Sequence, residues 1–459
     1  METVLEPVSP GGEYLSTTVL SLTILAVLES EVAIDDSQAM SLLTNVFLPI
    51  NPRFSSIMVE DRNGTKRWKK VEVRLQDHVH VPEFPTGRTT KYYDDCLDDY
   101  LSKIASQQFP QSQPMWEIHI LKYPTSNAAG NLIFKLHHSL GDGFSLMGAL
   151  LSCLQRADDP SLPLTFPSVR LRSAKDNRRN HSMFMKVPGA LSSLSNTVAD
   201  FCSGILKSAI VKDDKSPIRS GHPGVEFLPV AVATITFPLD QVKQIKEKLG
   251  VTINDVIAGT IFLGTRLYME ARNTGSGNAR TTSLVLLNTR MFGGYKSVKD
   301  MVKPDAELPW GNHFAFLSVA IPKLADAEAK DPLQFIFEIR KIIQKKRSSL
   351  AVYLTARYLQ LTKKLRGLKA ASKYVHATLE NTSMGVTNLM GPREKMALAN
   401  HPIKGLYFSL MAGVMSYVDN LRVALLVEKE FIDKEELKSH IENAFLSIYK
   451  AACGVPPAT

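Results

Sequence analysis

The chain changes character once, and that break constrains its fold more than any other feature. Residues 1–157 mix short apolar strands with amphipathic helices. Asp158-Asp159-Pro160 then opens a stretch with several prolines and a basic cluster (Arg170, Arg172, Lys175, Arg178, Arg179, Lys186). Val187 to Val211 is apolar enough for an amphipathic helix, and Lys212 to Gly224 is rich in turn residues. At Val230 the strand–helix pattern restarts. The expectation is two α/β domains, 1–157 and 225–459, joined by a crossover at 158–224. At 459 residues the chain is long enough to bury two sizeable cores.

Local patterns support this division. The apolar run Val19 to Leu28 is about half of the ~20 residues a membrane-crossing helix needs, so a buried strand is expected there. Val71 to Leu75 alternates like a strand. Tyr92 to Gln107 reads as a helix with an acidic face (Asp94, Asp95, Asp98, Asp99). In the second half, Gly250 ends a helix whose face carries Leu239, Val242, Ile245 and Leu249. Thr252-Ile253-Asn254-Asp255 and Asp433-Lys434-Glu435-Glu436 have the pattern of capping boxes. The four cysteines are far apart with no CxxC pair, which excludes a zinc ribbon and fits a reducing compartment.

One segment carries chemistry. Leu132 to Leu136 is a short strand that delivers His137-His138-Ser139-Leu140-Gly141-Asp142-Gly143 to the start of the next helix, Phe144 to Leu154. Histidine takes and returns a proton near neutral pH, and Gly141 and Gly143 allow a tight turn. Three readings of this segment stand on the residues alone. It is an acid–base site, a metal site, or a capped helix beside incidental histidines. Adjacent histidines on an extended chain point to opposite faces, which disfavours a shared metal. His78 and His80 alternate on another strand with no third ligand evident, so a solvated strand face is expected there.

His-His-x-x-x-Asp-Gly resembles the signature of a large CoA-dependent acyltransferase superfamily. Its members include chloramphenicol acetyltransferase, peptide-synthetase condensation domains and the wax ester synthase/diacylglycerol acyltransferase family. Several segments are similar to the last of these, above all to plant wax synthases of the WSD type. They are Pro52-Arg53-Phe54, Pro114-Met115-Trp116-Glu117, Thr252-Ile253-Asn254-Asp255-Val256, Asn288-Thr289-Arg290, Gly311-Asn312 and Thr387-Asn388-Leu389-Met390-Gly391-Pro392.

The resemblance implies a two-domain α/β fold of the chloramphenicol acetyltransferase type, with a channel between the domains. It implies long-chain acyl-CoA as donor, a fatty alcohol or diacylglycerol as acceptor, and no metal or other cofactor. His138 would be the general base, with His137, Asp142, Gly143 and Asn254 completing the catalytic set and Asn254 as oxyanion donor. Arg290, paired with Asp142, and Asp255 would give structural support, and Pro114 and Trp116 would contact substrate. Two alternatives are a condensation-type enzyme using a carrier-bound acyl donor and a non-catalytic lipid-binding protein.

The net charge of +9 favours anionic partners. Between Ile339 and Leu379 there is no Asp or Glu but a run of lysines and arginines from Arg340 to Lys373. No nucleic-acid motif accompanies it, and anionic lipid suits it better. Peripheral docking is expected through residues such as Lys363, Lys364 and Arg366 and through the 187–211 segment. The expected location is the cytosolic face of the endoplasmic reticulum, or the plasma membrane.

Overall fold

The computed structural model describes residues 6–61, 65–162, 164, 197–207, 210–225, 228–289, 310–325, 331–347 and 349–454. Two sheets organise them. The first has seven strands in the spatial order β5 (Val79–His80), β6 (Trp116–Leu121), β7 (Gly130–His137), β2 (Thr23–Ser30), β14 (His401–Ser409), β13 (Met396–Leu398) and β8 (Gln155–Arg156). The second has six: β11 (Phe314–Ala320), β10 (Thr282–Asn288), β12 (Met384–Met390), β15 (Ala412–Tyr417), β16 (Asn420–Glu428) and β9 (Val230–Pro238). A small antiparallel sheet of β1 (Glu6–Pro7), β4 (Lys66–Lys70) and β3 (Ser56–Glu60) flanks the first.

The division into halves is visible, but the sheets do not respect it. Strands β13 and β14 come from the second half and pair in the first sheet, β14 lying antiparallel to β2 along Leu25–Ser30. The chain then returns to the second sheet through Leu410 and Met411, the latter in the left-handed region at φ 60°. The expected domain 225–459 is therefore not self-contained. Its residues 396–409 extend the sheet that carries the histidine motif.

Ion pairs tie the halves further. Helix α1 (Thr90–Ser106), capped by Thr89, turns its acidic face to the second half, where Asp99 meets Lys429 at 2.9 Å and Asp98 meets Lys434. Glu29 of β2 is buried 2.6 Å from Arg422 of β16. The absence of a side chain at Gly405 leaves space for this carboxylate, because a Cβ there would lie 2.0 Å from Glu29 Oε2.

In the second half, helices α3 (Leu239–Leu249), α4 (Ile253–Arg272), α5 (Pro332–Arg347) and α8 (Lys434–Cys453) share one apolar core with the second sheet. Gly250 ends α3 at φ 63°, and Thr252 and Asp255 form the expected capping box at the start of α4. Two further helices, α6 (Ala351–Arg366) and α7 (Leu368–Glu380), pack on each other and on the N-terminal segment around Tyr14.

Two local expectations are corrected. Residues 71–74 are not a strand. The pairing that forms is β3 with β4, and beyond Lys70 only Val71 N–H continues the ladder, donating to Ser55 C=O. His78 is not on a solvated face but is buried, stacked on Trp116 at 4.2 Å, with its Nδ1 2.7 Å from the Trp116 carbonyl.

Removing one partner of a buried ion pair costs about 3–5 kcal/mol, because the other charge is left uncompensated. Glu29→Ala should therefore lower the thermal midpoint by many degrees, whereas the exposed-pair variant Asp95→Ala should shift it little. Thermal melts of the two variants check this.

Candidate active site

Pairing on both sides holds the end of β7. His137 sits opposite Thr23 of β2, and its N–H donates to Met115 C=O. His138 N–H donates to Leu22 C=O one step further on. Neighbouring side chains on an extended chain leave opposite faces, and the two imidazoles do. His137 lies between Ser21 Oγ, 3.1 Å from Nε2, and Ser139, whose N–H donates to Nδ1 at 3.1 Å. That donation leaves the His137 proton on Nε2. His138 lies on the other face and lines a cavity of ≈ 620 Å³.

The loop between them is fixed by contacts from distant parts of the chain. Asp142 caps helix α2 (Gly143–Cys153), accepting from Ser145 N–H at 3.0 Å through one oxygen and from His313 N–H at 2.9 Å through the other. Trp310 Nε1–H donates to Leu140 C=O at 2.8 Å. The buried Arg53 guanidinium lies 3.4 Å from the same carbonyl and 2.5 Å from Glu6. Gly143 packs closely on Leu389, whose side-chain end would have to shift for a Cβ there, 2.9 Å away. Gly311 adopts φ 128°, a conformation open to glycine and strained for other residues.

Asn312 decides what His138 can do. Its Nδ2–H donates to His138 C=O at 2.8 Å, which turns Oδ1 toward the imidazole, 2.9 Å from Nδ1. Oδ1 can only accept, so the His138 proton resides on Nδ1 and the lone pair on Nε2. His138 is buried, and burial holds its pKa below the usual histidine value, against the opposing pull of its own carbonyl, Asp142 and Asn312. Near neutrality it is an unprotonated base. Burial, with help from His138 and Lys66, pushes His137 down to about 3.

The cavity runs between the halves. The first contributes Ile24, Leu136 and Leu150, and the second Val285, Leu317 and Val414. Its polar lining is sparse. At the N-terminus of α4, Thr252, Asn254 and Asp255 face it, with Asn388 Nδ2–H donating to Asn254 Oδ1 at 2.5 Å. Asp255 is buried and committed to its capping box, accepting from Thr252 N–H at 2.9 Å and from its hydroxyl at 2.8 Å.

The structure thus brings His138, Asp142, Gly143, Asn254 and Asp255 to one cavity, with His137 behind the loop. It separates Pro114 and Trp116 from that cavity and corrects their expected substrate contact. Both are buried, and the Trp116 indole N–H donates to Phe54 C=O at 2.8 Å inside the first core. Arg290 lies outside the described residues. The residue that sequence reasoning did not assign is Asn312. Its signal was present in the Gly311-Asn312 pair, but nothing local indicates that it meets a histidine 174 positions earlier.

Comparison with known proteins gives the family. The wax ester synthase/diacylglycerol acyltransferase catalytic domain matches residues 48–257, and the C-terminal domain of the same family matches 310–449. The chain belongs to the wax ester synthase/diacylglycerol acyltransferase family. It is an acyltransferase of that family, with the histidine motif inside the catalytic region. It is 29% identical to wax ester synthase/diacylglycerol acyltransferase 11 of Arabidopsis thaliana, over 87% of this chain and 83% of that one. Identity to wax ester synthase/diacylglycerol acyltransferase 4 of the same plant is 28%, over 97% and 90%. Among solved structures, the fold is similar to the family enzyme from Marinobacter aquaeolei VT8, with a TM-score of 0.62 at 16% identity over 98% and 100% of the two chains. It is also similar to the first condensation domain of the CDA synthetase, with a TM-score of 0.54 at 12% identity over 100% and 98%. This is the expected two-domain fold.

Two outcomes follow for Asn312 and for pH. Asn312→Ala leaves the Nδ1–H donor buried without its acceptor, a loss of roughly 1–3 kcal/mol, and should reduce kcat about 10- to 100-fold in a steady-state assay. Because only neutral His138 is a base and its pKa is lowered, activity should stay flat as pH falls through 6.5 and decline only below it. A half-maximal point at or above 6.5 in a pH–rate profile would contradict the assignment.

Proposed function

We propose that the protein transfers the acyl group of a long-chain acyl-CoA to a fatty alcohol, giving a wax ester and free CoA, with diacylglycerol as a second acceptor. The observation that carries this reading is the Nε2 of His138, without a hydrogen-bond partner among the described residues, on the wall of an apolar cavity large enough for a lipid chain. Nε2 takes the hydroxyl proton as the alcohol oxygen attacks the thioester carbonyl. The new C–O bond forms, the C–S bond breaks, and the proton passes from His138 to the departing CoA sulfur. Holding both chains in one cavity supplies much of the rate by proximity.

The tetrahedral intermediate carries an oxyanion that needs a preorganised donor. Asn254 suits this role. Its Oδ1 is engaged by Asn388, which leaves its amide N–H groups for the cavity. Arg347 of α5 also lines the cavity and suits the phosphates of CoA. As written, the reaction consumes no cofactor.

The acceptor and the product are insoluble, and peripheral contact with a bilayer would provide access to them. No helix among the described residues is long and apolar enough to cross a membrane. Helix α6 has no buried residue and turns Tyr353, Leu354, Leu361 and Leu365 outward, the last 71% exposed, with Arg357 and Lys364 beside them. An exposed apolar stripe flanked by cations suits the interface of an anionic bilayer. The cytosolic face of the endoplasmic reticulum is the location this reading favours. Lys363 is no longer counted among the docking cations, because it pairs with buried Glu13.

Purified protein incubated with acyl-CoA and hexadecanol should yield the ester. His138→Ala should lose about 10²–10⁴-fold while remaining folded. Retention of more than about a tenth of the wild-type rate would contradict the general-base role. For the membrane contact, Leu361→Ser with Leu365→Ser should reduce binding to anionic liposomes in a flotation assay. Equal flotation of this variant and wild type would exclude α6 as the docking element.

A further inference from the structure

Behind the main cavity lies a smaller apolar pocket, walled by Leu43, Ile118, Ile120, Leu132 and Cys153 and reaching the surface beside Asp36 and Ala39. Among the described residues, only two side chains belong to the walls of both spaces, Phe47 and Phe134. Their ring centroids are 6.4 Å apart. Both rings are buried.

Strand β7 connects the two spaces geometrically. Alternate residues of a strand share one face, and on this face His138, Leu136, Phe134 and Leu132 follow in turn. His138 and Leu136 line the cavity, Phe134 borders both spaces, and Leu132 lines the rear pocket. At a rise of about 3.3 Å per residue, Phe134 lies about 13 Å along the strand from His138 and the rear pocket begins beyond it. An alkyl chain whose reacting end is at His138 and which follows this face therefore runs toward the two rings.

The rings differ in how they are held. Phe134 is fixed in the middle of the sheet, opposite Ala26 on one side and Ile118 on the other. Phe47 ends the segment Leu43–Phe47, where the helix widens into a π-turn. Such turns insert a residue into the helical ladder and are frequent at functional sites. This one sets Phe47 against Phe54 at 4.4 Å and Trp116 at 4.9 Å, in front of the rear pocket.

Resting on the acyl-transfer reading above, we propose that Phe47, backed by Phe134, is the floor of the chain-binding channel and sets the longest alkyl chain that the site accepts. The rear pocket has apolar walls in line with the channel, and its ligand is the end of a saturated chain. That chain belongs either to the acyl donor or to the alcohol, and both offer the same chemistry to the pocket.

The experiment uses the full-length protein and two series of substrates. One varies the saturated acyl-CoA with hexadecanol fixed, and the other varies the alcohol with one acyl-CoA fixed. In Phe47→Ala the optimum in one series should move to longer chains, kcat/KM gaining up to about fourfold per methylene that enters the opened pocket. The series that moves identifies which chain lies there. Ala39→Trp added to Phe47→Ala should refill the pocket and return the optimum toward that of wild type. Phe134→Leu opens the same partition from the sheet side and stands in if Phe47→Ala does not fold. Ester formation with unchanged optima in both series, for a folded opening variant, overturns the floor and leaves acyl transfer standing. No ester from wild type with any pair overturns the reading of the reaction itself.

Discussion

The Asn312 carboxamide holds His138 at two points, accepting from the ring and donating to the backbone carbonyl of the same residue. An amide with one donating and one accepting end can satisfy both only in a single orientation, and that orientation fixes which imidazole nitrogen is bare. Asn312 belongs to the second half of the chain and His138 to the first. The chemistry of the site therefore exists only when the halves are docked. The neighbouring contacts serve the same docking. Trp310 binds Leu140, Gly311 C=O accepts from Asp142 N–H at 3.3 Å, and His313 N–H donates to Asp142. Asp142 acts as a cap and a clamp, and its carboxylate also opposes the effect of burial on His138.

Docking of this kind explains why the second half lends strands β13 and β14 to the first sheet. A cavity between two independent domains would change shape with every relative motion. Here β14 lies beside β2 and continues directly into β15 of the second sheet, so the walls of the cavity share a covalent and hydrogen-bonded path. The buried Glu29–Arg422 pair joins the same two sheets. Interiors packed at close density resist such relative shifts.

Much of this architecture is legible in the sequence because it is local. Gly250, Thr252 with Asp255, and Asp433 mark helix ends through their own backbone chemistry, and the structure has those ends. The strand ending in His137 and the helix capped by Asp142 are read the same way, as is the opposite-face placement of the histidines. The resemblance supplied the fold and pointed to His138 as the base to be tested. What was not legible depends on pairing across long separations. His401–Ser409 is buried along most of its length, and a run of that kind does not reveal which sheet it enters. Trp116 and His78 share a core site that neither neighbourhood announces. The role of Asn312 has the same character, since a lone Asn after Gly carries no local sign of its partner.

Nitrogen NMR of protein labelled with ¹⁵N-histidine reads the His138 tautomer directly, with its signal assigned by its absence in His138→Ala. At neutral pH, His138 held by Asn312 should show a protonated Nδ1 and a bare Nε2. A proton on Nε2 at neutral pH, or a doubly protonated ring, would contradict it.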